Sequence, residues 1–251
     1  MDLRKRFLNL LGVTLVLLVW QGFGARLGDA LMATPLQVAG SLAVTLKDAA
    51  FWLAVGIMIG QMLLGYLTAL AVGVPLGIAM GRSRNVRGLV KPWASMFVVV
   101  SAAALVPLFI LLMGRGLLLV TAIVFAATVW YVVLTMMEAA RSVSPALLNV
   151  ARSYNATRWQ SFRMVLLPAL HPYILIAARI GLTHALRGLI TVQMFIGSGY
   201  GGLINNAGLD LSTASLFGLI VVLMIISVTA TSLLRRIARY SAPWYESSIQ
   251  A

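Results

Sequence analysis

The sequence predicts an all-α protein that crosses a membrane six times. Of its 251 residues, 61% are hydrophobic and only 10% are charged, which leaves too little polar surface for a soluble domain of this length. Its uncharged runs each exceed the roughly 18 residues that mark a candidate spanning helix. They are Phe7–Ala25, Ala49–Gly81, Pro92–Gly114, Gly116–Met137 and Leu211–Leu234. A sixth apolar run, Pro168–Ile196, is as long but contains Arg179, His184 and Arg187.

The basic residues orient these spans. If the N-terminus lies inside, the outer loops hold only Arg26, Lys47 and Arg115, a strong positive-inside bias. The inner basic residues are then Arg4, Lys5, Arg6, Arg82, Arg84, Arg87, Lys91, Arg141, Arg152, Arg158, Arg163, Arg235, Arg236 and Arg239. This order predicts that both termini are cytoplasmic. The net charge of +13 therefore favours contact with anionic membrane lipid over binding of nucleic acid.

The first run follows Arg4, Lys5 and Arg6, as the apolar part of a signal peptide does. It has no small-residue cleavage site of the A-x-A kind and is long enough to span, so it predicts an uncleaved first helix. The segment Arg26–Asp48 that follows is predicted to lie outside and to include a short interfacial helix. The chain has no cysteine, which excludes disulfides and thiolate metal sites.

Proline and glycine mark special points in the next spans. Pro75 is expected to kink the second span near its inner end. The small residues over 73–81 predict close packing of a neighbouring helix. Pro107 is expected to interrupt the third span, where a broken helix lines the solute path. The short Gly114-Arg115-Gly116 turn predicts that the third and fourth spans are antiparallel neighbours.

A polar, amphipathic interruption covers Ser144–Pro168, between the fourth and fifth spans. Ser144 before Pro145 predicts a capped helix start. Asn155 is expected to end this helix in the left-handed conformation, which asparagine tolerates best after glycine. The helix carries one apolar stripe at helical spacing, formed by Leu147, Val150, Ala151 and Tyr154.

A second short helix is predicted to follow Asn155. Thr157 and Gln160 have the spacing of a capping box, and Leu167-Pro168 is expected to turn the chain into the fifth span. The apolar side of this helix is formed by Trp159, Phe162 and Val165. One interpretation is a knob that fits a groove on a soluble partner, and the alternative is an amphipathic segment that lies on lipid.

The spacing within this loop resembles the coupling loop, or EAA motif, of ATP-binding-cassette importer permeases. Asn149-Val150-Ala151 takes the place of EAA, Asn155 that of the glycine, Val165 the aliphatic place and Leu167-Pro168 the end. Every spacing is kept, although the glutamate and the first alanine are replaced. The resemblance extends over roughly 49–206 and is closest to permeases of the nitrate, taurine and alkanesulfonate type.

The resemblance implies a single permease domain over 1–251, in a bacterial inner membrane. It implies a homodimer served by two ATPase subunits and a periplasmic binding protein. The chain itself contains no phosphate-cradling Walker loop, so it is expected to be non-catalytic and to need no cofactor. The residues that the resemblance assigns to ATPase coupling are Asn149, Val150, Ala151, Arg152, Asn155, Arg158, Leu167 and Pro168.

His184 and Arg187 are candidates for the solute path. They stand three residues apart, so they share one helix face, and ionisable residues inside a membrane usually face a cavity. Outward snorkelling of Arg187 is the alternative. Gln193 occupies a place where the resembling family often has glutamate. Together with Arg187, this favours an organic or inorganic anion, such as a sulfonate, nitrate or carboxylate, as the solute. The predicted path residues are Pro107, His184, Arg187, Gln193 and Met194.

Other functions find less support in the sequence. A neutral or heterocyclic metabolite, such as a vitamin precursor, is an alternative solute. A stand-alone channel or secondary carrier is a further alternative, but carriers driven by ions usually place carboxylates deep in a span, and this chain has none there. His171 and His184 are a poor basis for a metal site, so none is predicted. The glycine-rich segment over 197–202 satisfies GxGxxG, but it follows a membrane span and no strand, which excludes a dinucleotide site.

Overall fold

In the computed structural model, which describes residues 3–28 and 31–241, these residues form helices and no strand. The helices are α1 (Leu3–Leu27), α2 (Pro35–Thr45), α3 (Ala49–Arg82), α4 (Arg84–Val99), α5 (Ala102–Met113), α6 (Leu117–Ser142), α7 (Pro145–Ser153), α8 (Arg158–Ser161), α9 (Leu167–Ile196), α10 (Gly199–Leu209) and α11 (Thr213–Ser241). The predicted all-α class is confirmed. Both chain ends, and the side chains of Arg4, Lys5, Arg6 and Arg239 used to orient the spans, lie outside the described part.

Four stretches of helix are long and apolar enough to cross a membrane. They begin at Ala49, Leu117, Arg158 and Thr213. The pair α4 and α5 makes a fifth if it is counted as one bent span. The part of α1 whose side chains are described, Leu11–Leu27, is apolar but shorter than these four stretches. A polytopic membrane protein is therefore confirmed, and the count of six spans stays a prediction.

The break in the third span lies elsewhere than expected. Pro107 is inside α5, which runs unbroken from Ala102 to Met113. The chain instead bends by 103° between α4 and α5, where Val100 and Ser101 are extended. Three consecutive β-branched valines, 98–100, precede Ser101, and such residues form helices less readily than straight-chain ones. Ser101 is the N-cap residue of α5, so the next helix begins directly after it.

The predicted close packing at the small residues over 73–81 is confirmed, and the structure shows that the neighbouring helix is α6. A Cβ built at Gly77 would lie 2.6 Å from the Met136 Cβ and 2.6 Å from the Val133 carbonyl oxygen. One at Gly81 would lie 2.5 Å from the Ala140 Cβ. Because no side chain fits these gaps, glycine is required for the two helix backbones to approach this closely.

The chain divides into two compact units, and one comprises Met1–Met58 with Gln193–Ile226. Within it, α2 begins with the Thr34–Gln37 capping box and Pro35, which confirms a short helix in the predicted outer segment. The core of this unit contains Tyr200, whose hydroxyl donates to the Leu219 carbonyl at 2.6 Å.

The other unit comprises Ile59–Val192 with Ser227–Ala251. Its core packs α6 against α3 and α9, where Tyr66 donates to the Ala178 carbonyl at 2.9 Å. Two clusters of buried side chains form this core, around Val132 and Met136 in one and around Val133 and Met137 in the other. Both candidate sites described below belong to this unit alone.

Candidate functional site

The interruption at 144–168 folds as a short exposed helix with defined ends. The Ser144 hydroxyl accepts from the Ala146 N–H, and Pro145 occupies the first turn. Asn155 has a φ of 55°. Its N–H donates to the Arg152 carbonyl at 2.9 Å, and the next N–H, of Ala156, donates to the Ala151 carbonyl at 3.1 Å. These two bonds are those of a Schellman motif, so the predicted left-handed role of Asn155 is confirmed.

The second short helix begins where the sequence predicts, but the predicted turn at Leu167-Pro168 that would separate it from the fifth span is wrong. The Thr157–Gln160 capping box is present, but the chain then passes through a π-helical turn, Phe162–Leu166, directly into α9. Leu167-Pro168 therefore lies within one continuous helix over Arg158–Ile196. Because Pro168 has no N–H to reach the carbonyl four residues back, widening the turn before it avoids a break.

Large apolar side chains of this loop are exposed. Tyr154 is 83% exposed, Trp159 66%, Val150 56% and Leu147 50%. Of the predicted stripe, Ala151 alone is partly covered. Of the other predicted coupling residues, Asn149, Arg152, Asn155, Arg158, Leu167 and Pro168 are all exposed. We call the four large residues Leu147, Val150, Tyr154 and Trp159 the loop patch.

Beneath α7 lies a cavity of about 720 Å³. Leu148 and Phe162 face it from the loop, and Arg82, Arg152 and Arg158 contribute its charges. Arg82 also donates to the Ala140 carbonyl at 3.2 Å. Residues of α3 and of the loop therefore line this cavity together.

A second cavity, of about 260 Å³, lies at the break between α4 and α5. His184 and Arg187 of α9 both line it, which confirms that they share one face. The His184 ring stacks on that of Tyr131, with ring centroids 3.4 Å apart and planes 13° apart. The Tyr131 hydroxyl donates to the Val98 carbonyl at 3.2 Å, so it occupies one of the carbonyls that the end of α4 leaves without a helical partner. We call this space the break cavity.

The remaining predicted path residues lie elsewhere. Pro107 is not among the residues that line the break cavity. Gln193 is 1% exposed, and its Oε1 accepts from the Gly201 N–H at 2.9 Å. Its carboxamide thus holds the glycine-rich turn, in which Gly197 and Gly199 have positive φ. Met194, next to it, is partly buried.

Residues 73–247, more than half of the chain, match the family described as binding-protein-dependent transport system inner membrane component. The chain belongs to this family. The chain is similar to permeases that are named for different solutes. The taurine transport system permease protein TauC of Escherichia coli is 29% identical over 79% of this chain and 72% of its own. The putative aliphatic sulfonates transport permease protein SsuC of Bacillus subtilis is 25% identical over 97% and 91%. The glycine betaine/carnitine/choline permease protein OpuCD of Bacillus subtilis is 29% identical over 54% and 58%.

The protein is therefore a permease component of an ABC transport system, and further relatives are named as ABC transporter permease proteins. The loop over 144–168 lies within the matched region. So does the break cavity.

Three residues that line the permease's break cavity were not predicted from the sequence. Tyr131 was not singled out, because a tyrosine in an apolar run has no pattern that distinguishes it from a packing residue. Ser101 and Thr191, which also line the cavity, were likewise overlooked. The three valines before Ser101 are the one local signal that favours the observed break over a break at Pro107.

Proposed function

We propose that this permease is the membrane subunit of an ATP-driven importer. A separate ATPase drives the opening of a path for a small solute that a periplasmic binding protein delivers. The observation that carries the proposal is the loop over 144–168, which keeps every spacing of the coupling motif. Its geometry supports this, because Asn155 ends α7 in the left-handed conformation where the motif has glycine.

The loop patch is the proposed contact with the ATPase. Four large apolar side chains are each at least 50% exposed. Leu147 and Val150 lie on the nine-residue helix α7, Tyr154 caps its end, and Trp159 lies on α8. Such patches usually mark protein or membrane contacts, and an apolar face on a short helix suits a groove on a partner. The exposed polar residues Asn149, Arg152 and Arg158 lie on the same loop and are proposed to add polar contacts to the ATPase.

The proposed assembly has two copies of this chain, each a single permease domain over 1–251, and two ATPase subunits. Both termini are placed in the cytoplasm and the protein in a bacterial inner membrane, and the chain itself carries no catalytic role. Anionic lipid is a further proposed partner. A cavity of about 610 Å³ supports this, since Arg84, Arg87, Lys91 and Arg141 line it and attract headgroups at the inner surface.

The proposed solute is a small organic anion of the sulfonate type. TauC and SsuC are named for taurine and aliphatic sulfonates, and the second of them aligns over 97% of this chain. OpuCD is named for quaternary ammonium solutes, but it aligns over 54%. The cation Arg187 lines the break cavity, which favours an anion over those solutes. A neutral or heterocyclic metabolite is the alternative.

Co-purification with the ATPase tests the coupling role. Val150→Asp adds a charge to the loop patch and is expected to abolish recovery of the ATPase from detergent extracts. Ser153→Asp adds the same charge to the same exposed helix, outside the patch, and is expected to retain recovery. Equal recovery with both variants contradicts the proposed contact.

Transport tests the rest of the proposal. The permease, its ATPase and its binding protein are reconstituted together in proteoliposomes, and uptake of radiolabelled taurine and of ethanesulfonate is followed with and without ATP. Uptake that needs ATP and the binding protein supports the importer. Uptake by the permease alone supports a channel or secondary carrier instead.

A further inference from the structure

We propose that the break cavity is an anion subsite of this permease, in which Arg187 binds the negatively charged group of a small solute. The proposal rests on the proposed function, because it places the subsite on the solute's route. It goes further, since it names the site, its charge and the size of its ligand.

The charge of the break cavity is positive and uncompensated. Arg187 is exposed and lines the cavity. The described acidic residues are Asp48, Glu138 and Asp210, and none of them is among its lining residues. Among the described side chains, Arg141 and Glu138 form a salt bridge, and Arg187 forms none with any described acidic residue. An ionisable residue in a span usually has a partner or serves a pathway, and a solute anion supplies that partner.

The start of α5 adds to the same charge. Ser101, Ala102 and Ala103 line the cavity, and they form the N-terminus of a 12-residue helix. The Ser101 side chain makes no capping bond, so the first amides of α5 lack the usual N-cap acceptor. Helix N-termini carry partial positive charge and bind anions through such amides. Arg187 on α9 and the N-terminus of α5 therefore both favour a negatively charged ligand.

The dimensions of the cavity limit the ligand to a small one. Its volume of about 260 Å³ is below the roughly 300–1,000 Å³ of pockets for drug-sized ligands. Stacking of His184 on Tyr131, with Tyr131 bonded to Val98, fixes one wall. Elsewhere the wall is formed by the Ala127 methyl group and by Gly188, which has no side chain. A compact sulfonate or carboxylate with a short apolar part suits this space, and the arginine fork bonds such a group at two points.

The chain has no cysteine, so a single introduced thiol reports on the cavity. Thr191 lines it, one turn from Arg187, and Thr191→Cys keeps nearly the same size. Two thiol reagents of matched length are used, 2-sulfonatoethyl and 2-(trimethylammonio)ethyl methanethiosulfonate. The first is itself an ethanesulfonate and the second a quaternary ammonium. With each reagent the thiolate attacks the sulfenyl sulfur, a disulfide forms and methanesulfinate leaves.

Labelling rates are measured on the full chain in lipid nanodiscs, at low salt and without ATP. The measured quantity is the ratio of the labelling rate with the sulfonate reagent to that with the cationic reagent. We expect this ratio to be about tenfold higher for Thr191→Cys than for free 2-mercaptoethanol, a difference called the gain below. Arg187→Gln is expected to remove this gain, and Arg187→Lys to keep part of it. Arg179→Gln, the same change on an exposed arginine of α9 that does not line the cavity, is expected to leave it unchanged. Excess ethanesulfonate is expected to slow labelling, and excess choline is not.

The proposal is overturned by a reagent ratio equal to that of the free thiol. It is also overturned if Arg179→Gln acts as Arg187→Gln does, or if neither reagent reaches the thiol. Because this labelling needs neither ATPase nor binding protein, it separates the subsite from the importer. Normal selective labelling without ATP-driven uptake refutes the importer alone, and uptake with unselective labelling refutes the subsite alone.

Discussion

Replacement of Asn155 by valine is expected to disrupt the coupling loop. Asn155 has a φ of 55°, a region in which a β-branched residue is an outlier. Left-handed backbone costs an ordinary L-residue about 1–2 kcal/mol. Glycine bears no such cost, so Asn155→Gly is expected to keep the loop intact.

The structure indicates that this cost is not offset elsewhere. The helix that Asn155 terminates has nine residues and none of them is fully buried, and isolated helices of this length are marginal in water. Tertiary packing therefore holds the end of α7 only weakly. A penalty of 1–2 kcal/mol then lowers the population of the correctly ended loop by about 5–30-fold.

The assay is the affinity of the ATPase for the purified permease, with each variant compared with wild type. Asn155→Val is expected to weaken binding by about 5–30-fold, and Asn155→Gly by less than about twofold. Ser153→Val controls for the valine itself, because Ser153 is exposed and helical, where the substitution costs a few tenths of a kcal/mol. Wild-type affinity with valine at position 155 refutes the reasoning.

Three further predictions concern stability, measured as the apparent Tm in detergent. Gly77→Leu overpacks the contact of α3 with α6 and is expected to lower stability by about 1–3 kcal/mol or to prevent folding. Gly56→Leu is the control on the same helix, because a Cβ built at Gly56 meets no atom within 4 Å, and it is expected to be tolerated. Equal Tm values for the two variants contradict the packing argument. Gln193→Leu leaves the buried Gly201 N–H without its acceptor and is expected to cost about 1–3 kcal/mol. Gln193→Glu keeps an acceptor oxygen and is expected to cost less, so the reverse order argues against this role. Leu211 has a φ of 53°, and Leu211→Gly is expected to raise the Tm by relieving about 1 kcal/mol of backbone strain; a lower Tm rules this out.

Local features of the fold were predictable from the sequence. The helix start at Ser144 and the left-handed end at Asn155 were both predicted, and so was the Thr157–Gln160 capping box. Each depends on hydrogen bonds between residues two to five positions apart. Close packing of a neighbouring helix on the small residues over 73–81 was also predicted, because small residues on a membrane helix favour close approach; that this neighbour is α6 comes from the structure.

Long-range contacts decided what the sequence did not predict. Pro107 was expected to break a helix, but the chain bends at Val100 and Ser101 instead. There the Tyr131 hydroxyl donates a hydrogen bond to the carbonyl of Val98, which lies 33 residues earlier in the chain. Gln193 was predicted to line the path, and its observed bond is with Gly201. Neither partner follows from the spacing of residues within one helix.

The sequence by itself determined the class of the protein, the helix caps and the coupling-motif spacing, because apolar composition and short-range backbone bonding need no tertiary context. The tertiary structure alone decided that a cavity forms at the α4–α5 break and that His184 stacks there on Tyr131. It also decided that α8 continues into α9 through a π-helical turn. These features depend on which helices pack together, and packing joins residues that are distant in the chain.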